Sequence, residues 1–175
     1  MSQIVIVTAI GARDKPGIVA ALTEAVYEVG GSLDDATMTR LHGAFATMLA
    51  ARLPDDGAVS ALRSRLKSAS DRLELHITLD EIPDAHEEQP PDHLITVYGA
   101  DRPGIVHQIA TVLAQNGVNI TDLDTRVAGA LGAPVYVMFL ETAGGDWQEL
   151  PAKLTAAAAS LGVDISHKEL DTEAL

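Results

Sequence analysis

The chain contains no cysteine, which excludes a disulfide framework, a thiolate metal site and a cysteine nucleophile. Aromatic residues are scarce, with three Tyr, two Phe and one Trp in 175 residues. The core must therefore be aliphatic, and stacking along a nucleic-acid single strand lacks its platform. Cations are few as well: 12 Lys and Arg stand against 25 Asp and Glu, a formal net charge of −13. A broad electrostatic grip on nucleic acid needs clustered Lys and Arg, so no direct nucleic-acid partner is expected. No apolar run approaches the ~20 residues of a membrane span, and the N-terminus lacks a charged-then-apolar signal pattern. A cytoplasmic protein without a membrane partner is the expectation.

Hydrophobic residues make up 47% of the chain, ample for a packed core. An internal repeat decides how that core is divided. Asp14-Lys15-Pro16-Gly17-Ile18-Val19 returns as Asp101-Arg102-Pro103-Gly104-Ile105-Val106, 87 positions later. Upstream, Val7-Thr8 and Gly11-Ala12 match Ile95-Thr96 and Gly99-Ala100 at an offset of 88, which makes Arg13 an insertion. Downstream, Gly30 pairs with Gly117, Asp35 with Asp122 and, after a three-residue insertion, Met48 with Met138. The period is domain-sized, so the expected organisation is one unit over 1–80, a linker over 81–91, and a second unit over 92–175 that ends in a short tail. The stretch 80–92 holds three of the eight prolines and six carboxylates, with no Lys, Arg or Gly, and reads as a solvated spacer.

Within each copy the pattern runs strand, helix, strand, strand, helix, strand. Residues 4–10 are short, β-branched-rich and almost continuously apolar, as suits a strand covered on both faces. Pro16 then opens a helix, since proline lacks only an N–H that has no partner at that point. Ile18, Leu22, Ala25, Val26 and Val29 form its apolar stripe. Gly30 and Gly117 stand where a left-handed helix end favours glycine. Strands follow over 32–41 and 44–53, then a helix over about 58–68. Leu73, Leu75, Ile77 and Leu79 next alternate as a half-buried strand. The second copy repeats the order over 93–98, 103–116, 118–128, 134–141, 146–160 and 162–169. The fold class is α+β: two ferredoxin-like βαββαβ domains in tandem, each an antiparallel sheet with its helices on one face. Bare sheet faces and edges need cover, so the units are expected to pack on one another and the chain to form a homo-oligomer, a dimer.

The segments VTAIGARDKPGIVAALTEAV and ITVYGADRPGIVHQIATVLAQNGVNI resemble the strand–turn–helix of ACT domains, small ligand-binding modules attached to amino-acid metabolism. Together the two units cover nearly the whole chain. The resemblance implies a small amino acid as ligand, held between this turn and a neighbouring unit, with no cofactor and no catalytic residues. It places Asp101, Arg102, Gly104 and Ile105 at the ligand, with Asn119 and Ile120 from the next strand. The first-copy counterparts are Asp14, Lys15, Gly17, Ile18 and Ser32, in a turn disturbed by the inserted Arg13 and by Ser32 standing where Asn119 stands. The residues suit the task. A helix N-terminus offers unpaired N–H groups to a carboxylate, glycine allows close approach, and an aspartate can face an ammonium. The same Asp-x-Pro-Gly also reads as an ordinary helix start with Asp as its cap.

Two units without a catalytic domain imply a non-enzymatic sensor that reports to a protein partner, either a DNA-binding regulator of amino-acid metabolism genes, glycine cleavage among them, or a metabolic enzyme on which it acts directly. A hydrolase is the rival reading, supported only by scattered carboxylates such as Asp34-Asp35 and Asp122-Leu123-Asp124. A direct transcription factor conflicts with the acidic charge. The histidines at 42, 76, 86, 93, 107 and 167 lack metal-type spacing, and no metal site is expected. Gly129-Ala130-Leu131-Gly132 reads as a hairpin turn.

Overall fold

The computed structural model describes residues 2–82, 89–128 and 135–171. The middle of the expected linker (83–88, with His86), the Gly129–Gly132 hairpin turn and the end of the C-terminal tail lie outside them. The chain divides into two compact units, Met1–His86 and Glu87–Leu175. In the first, strands β1 (Gln3–Gly11), β2 (Ser32–Leu41), β3 (Ala44–Leu53) and β4 (His76–Ile82) accompany helices α1 (Ile18–Tyr27) and α2 (Asp56–Leu73). In the second, β5 (His93–Ala100), β6 (Asn119–Ala128), β7 (Val135–Ala143) and β8 (Val163–Glu169) accompany α3 (Ile105–Gln115) and α4 (Leu150–Leu161). Each unit is a four-stranded antiparallel sheet, in the orders β2-β3-β1-β4 and β6-β7-β5-β8. This is the ferredoxin-like α+β arrangement. Among the described residues, no helix is long and apolar enough to cross a membrane.

The most apolar strand of each unit lies second from an edge, hydrogen-bonded on both sides. Val5, Val7 and Ala9 of β1 are buried against Ile18, Leu22 and Val26 of α1 and Leu62 and Leu66 of α2. The opposite face of β1 is not covered on the same scale: Ile4 and Ile6 are half-buried and Ile10 is 49% exposed. The near-continuous apolar run thus marks a strand flanked within its sheet rather than one buried on both faces. In the second unit Ile95 and Val97 pack with Ile105, Ile109, Leu113, Leu154 and Ala158.

Helices α1 and α3 begin two residues later than proline suggests. Ile18 and Ile105 are their first residues, and the preceding glycines adopt the left-handed conformation, Gly17 at φ 93° and Gly104 at φ 95°. No side chain caps either helix, so the aspartates are not caps. The helices end alike. Gly30 and Gly117 are left-handed at φ 76° and 70°, and the next residue's N–H reaches back, Gly31 to Val26 O at 3.0 Å and Val118 to Leu113 O at 3.1 Å.

Helix α2 is longer than the 58–68 stretch. Asp55 caps it, its Oδ1 accepting the Ala58 N–H at 2.9 Å, and it runs through Leu73, which therefore belongs to the helix and not to β4. Register corrects the pairing of Met48 with Met138. Gly11 faces Phe45 in β3, while its equivalent Gly99 faces Tyr136 in β7. The insertion before β7 is therefore four residues, Met48 matches Phe139, and Tyr136 matches Phe45. A one-residue slip reverses the faces of a strand, and burial agrees: Met138 is fully buried whereas Met48 is 49% exposed.

An Ala Cβ at Gly17 or Gly104 would meet no atom within 4 Å, so substitution there is opposed by backbone strain alone. Gly17→Ala and Gly104→Ala should each cost about 1–2 kcal/mol, read as a lowered unfolding midpoint in thermal denaturation. A raised midpoint, as for a glycine inside a helix, would contradict the left-handed geometry.

Candidate ligand-binding turns

The two turns share a backbone and differ in what occupies it. In the first unit, the Asp14 N–H donates to Gly43 O at 3.2 Å, and the Asp14 carboxylate is paired with Arg40 at 3.5 Å. Lys15 Nζ donates to Glu74 Oε2 at 2.9 Å. That hydrogen bond, and then the lysine charge, hold the Glu74 carboxyl below its ordinary value. The polar side chains of this turn are therefore engaged within the unit, across to the β2–β3 hairpin and the end of α2.

In the second unit, Asp101, Arg102, Gly104, Ile105 and Tyr136 line one cavity of about 350 Å³. Asp101 is exposed and makes no hydrogen bond or ion pair among the described residues. The Arg102 guanidinium lies over Gly162, the left-handed cap of α4, where a Cβ would sit 3.2 Å from its Nη1. A cation there complements the helix C-terminus. The first-turn N–H groups of α3 have neither a capping side chain nor an acidic neighbour in that turn. Tyr136 was not among the residues singled out from the sequence. Its ring sits in the core at 8% exposure. Burial, and then the charge of Asp101, push its phenol up, keeping it protonated at neutral pH. Only the corrected β7 register, which sets Tyr136 against Phe45, distinguishes it.

Asn119 and Ile120 do not join this group. Asn119 faces Ala143 at the same sheet end as the His93–Thr142 pair, whereas the turn leaves from the Ala100–Val135 end. Seven steps of ~3.3 Å separate those ends, roughly 23 Å. Asn119 and Ile120 line a separate cavity of about 640 Å³ with Pro90, Pro91, Thr121 and Glu141. Ser32, likewise, faces Arg52 at the sheet end remote from Gly17. One small ligand cannot touch both sets within a unit.

The remaining acidic pairs lie on strands β2 and β6, and Asp34, Asp35 and Asp124 have local partners. Asp34 pairs with Arg52 at 2.6 Å and Asp124 with Arg126 at 2.7 Å, while Asp35 accepts the Ala36 N–H at 2.7 Å. Among the described residues, no group of three His, Asp or Glu is arranged to hold a metal. His42 is left-handed at φ 49° in the β2–β3 turn. His93 stacks on Trp147 with ring centroids 3.6 Å apart, and His167 lies tilted at 5.8 Å from the same indole.

Two ferredoxin-like βαββαβ units in tandem define the class of fold. The ACT domain profile matches residues 3–80 and 92–168, and the chain belongs to the ACT-domain family. It is 42% identical over 72 residues to a UPF0237 protein of Methanopyrus kandleri, a match spanning 41% of this chain and 80% of that one. An unknown protein from Galdieria sulphuraria has a TM-score of 0.83 at 27% identity, covering 98% of this chain and 100% of the other. A solved structure named for a glycine cleavage system transcriptional repressor has a TM-score of 0.70 at 16% identity, covering 98% and 99%. At that identity the likeness is one of fold.

Asp92 yields a pH prediction. Burial pushes its carboxyl up, but the hydrogen bonds from His93 Nδ1 and the Gly144 N–H, both 2.8 Å, outweigh this and leave it below its ordinary value. A lowered carboxyl contributes stability in full above its unfolded pKa of about 3.9, and loses it as pH falls toward the folded value. Asp92→Asn should therefore be less stable than the parent at neutral pH. The gap should close below about pH 4 in thermal denaturation, and a gap of constant size across that range would contradict the assignment.

Proposed function

We propose that this ACT-domain regulatory protein is a non-enzymatic sensor that binds a small amino acid at the turn of its second unit and reports occupancy to a protein partner. The observation that carries the reading is the contrast between the turns: Asp14 and Lys15 are committed to Arg40 and Glu74, whereas Asp101 has no ion pair among the described residues and stands beside a helix start with no side-chain cap. The ligand carboxylate meets the N–H groups after Gly104, its ammonium meets Asp101, and Ile105 bounds the apolar side. ACT domains hold such ligands between the turn and a neighbouring unit. Asn119 and Ile120, remote from their own turn, are suited to complete the site of a second copy in a homodimer. Arg102, over the α4 cap, fixes the turn.

The output we assign is control of amino-acid metabolism genes, glycine cleavage among them, in the cytoplasm. A net charge of −13 leaves DNA contact to a separate regulator. The fold likeness to a protein named as a glycine cleavage repressor favours this output over direct action on an enzyme.

Calorimetric titration of the full chain with the twenty amino acids tests the reading. Asp101→Ala should lose about 1.5–3 kcal/mol of charge-assisted contact, a 10- to 150-fold fall in affinity, and Asp14→Ala should change little. Equal binding by the parent and Asp101→Ala would move the site elsewhere.

A further inference from the structure

A tyrosine whose ring lies in a protein core carries its hydroxyl to a partner or to water, and Tyr136 brings its hydroxyl to the surface rather than burying it. Its ring is 8% exposed, yet its hydroxyl takes no hydrogen bond among the described residues. The side chain lines the cavity shared by Asp101, Gly104 and Ile105. Its counterpart in the first unit is Phe45, buried at 2% and packed where a Cβ on Gly11 would sit 2.6 Å from its ring. The ring thus belongs to the fold of both units and the hydroxyl to the second alone. Packing explains the ring; it gives the oxygen no task.

We propose that the Tyr136 hydroxyl and the Asp101 carboxylate together form an ammonium seat, which makes the second turn selective for α-amino acids over the corresponding α-hydroxy acids. This rests on the amino-acid reading of the turn and adds the residue that sets its selectivity. An ionised carboxylate only accepts hydrogen bonds, a phenolic oxygen keeps lone pairs free to accept, and an ammonium has three donors and no acceptor. Two acceptors and one open direction to water therefore suit an ammonium. A ligand hydroxyl offers one donor and no charge, so it satisfies at most one of the two acceptors and gains nothing from the field of Asp101. Raised by burial and by that field, the phenol stays neutral and does not repel the ligand carboxylate. In the first unit the seat is absent twice over: Phe45 has no oxygen, and Asp14 is held by Arg40.

The test is calorimetry with matched pairs, glycine against glycolate, alanine against lactate and serine against glycerate, on the parent, Tyr136→Phe and Asp101→Asn. Tyr136→Phe puts in place the ring that the first unit already carries, and its melting midpoint is measured to confirm the fold. It should weaken amino-acid binding about 2- to 12-fold, the span of one neutral hydrogen bond. Hydroxy-acid binding should be unchanged, so the preference falls by that factor; Asp101→Asn should reduce the preference further. A ring that only packs would weaken both members of a pair alike. If the parent prefers the amino acid and Tyr136→Phe keeps the full preference, the seat is wrong and the turn as an amino-acid site stands. If the parent binds none of the amino acids, that reading falls and the seat with it.

Discussion

The backbone reversal between the inner strand and the first helix of each unit is the constraint on which the remaining structure depends. The strand is hydrogen-bonded to neighbours on both sides, so the chain can leave only at its end and must turn back onto one face of the sheet. A left-handed glycine makes that turn in both units, a conformation that costs other residues about 1–2 kcal/mol. Ile18 and Ile105 then drop into the core as the first residue of a buried stripe. The same geometry starts each helix without a capping side chain among the described residues, so its first N–H groups lack that partner. On the proposed reading, fold and ligand binding share one feature: the glycine that lets the helix pack also leaves its positive end without a side-chain cap.

Duplication supplied this turn twice, and side chains made the copies unequal. In the first, the inserted Arg13 adds its charge to that of Lys15 near Glu74, and Arg40 takes Asp14; the turn is tied to its own unit. In the second, Arg102 lies over the end of α4, Asp101 has no ion pair among the described residues, and the phenol of Tyr136 replaces the bare ring of Phe45. Closing one turn costs only a few surface ion pairs, each worth little in stability. The difference between the copies is accordingly one of chemistry and not of fold.

Much of the fold was legible because local signals agreed with one another. The bounds of β2 and β3, the apolar stripe of α1 and the glycines after α1 and α3 follow from periodicity and turn chemistry. The errors have specific causes. Pro16 and Gly17 both favour a helix start, and only the backbone reveals that glycine, in the left-handed region, is the boundary residue. Leu73 fits the spacing of the following strand and of α2 equally, and the helix claims it. Two methionines in similar surroundings invited a three-residue insertion, which hid the match of Tyr136 to Phe45. Asn119 follows the turn closely in sequence, but strand order carries it to the far end of the sheet, a placement that spacing along the chain cannot disclose.

Amide hydrogen exchange on the full chain, with and without the amino acid that binds it most tightly, tests the central claim most directly, because it reports the two turns separately in one sample. The account predicts added protection over residues 104–108, where the first N–H groups of α3 would bind the ligand carboxylate, and little change over residues 17–21. Equal protection in both turns, or protection confined to the first, would contradict it.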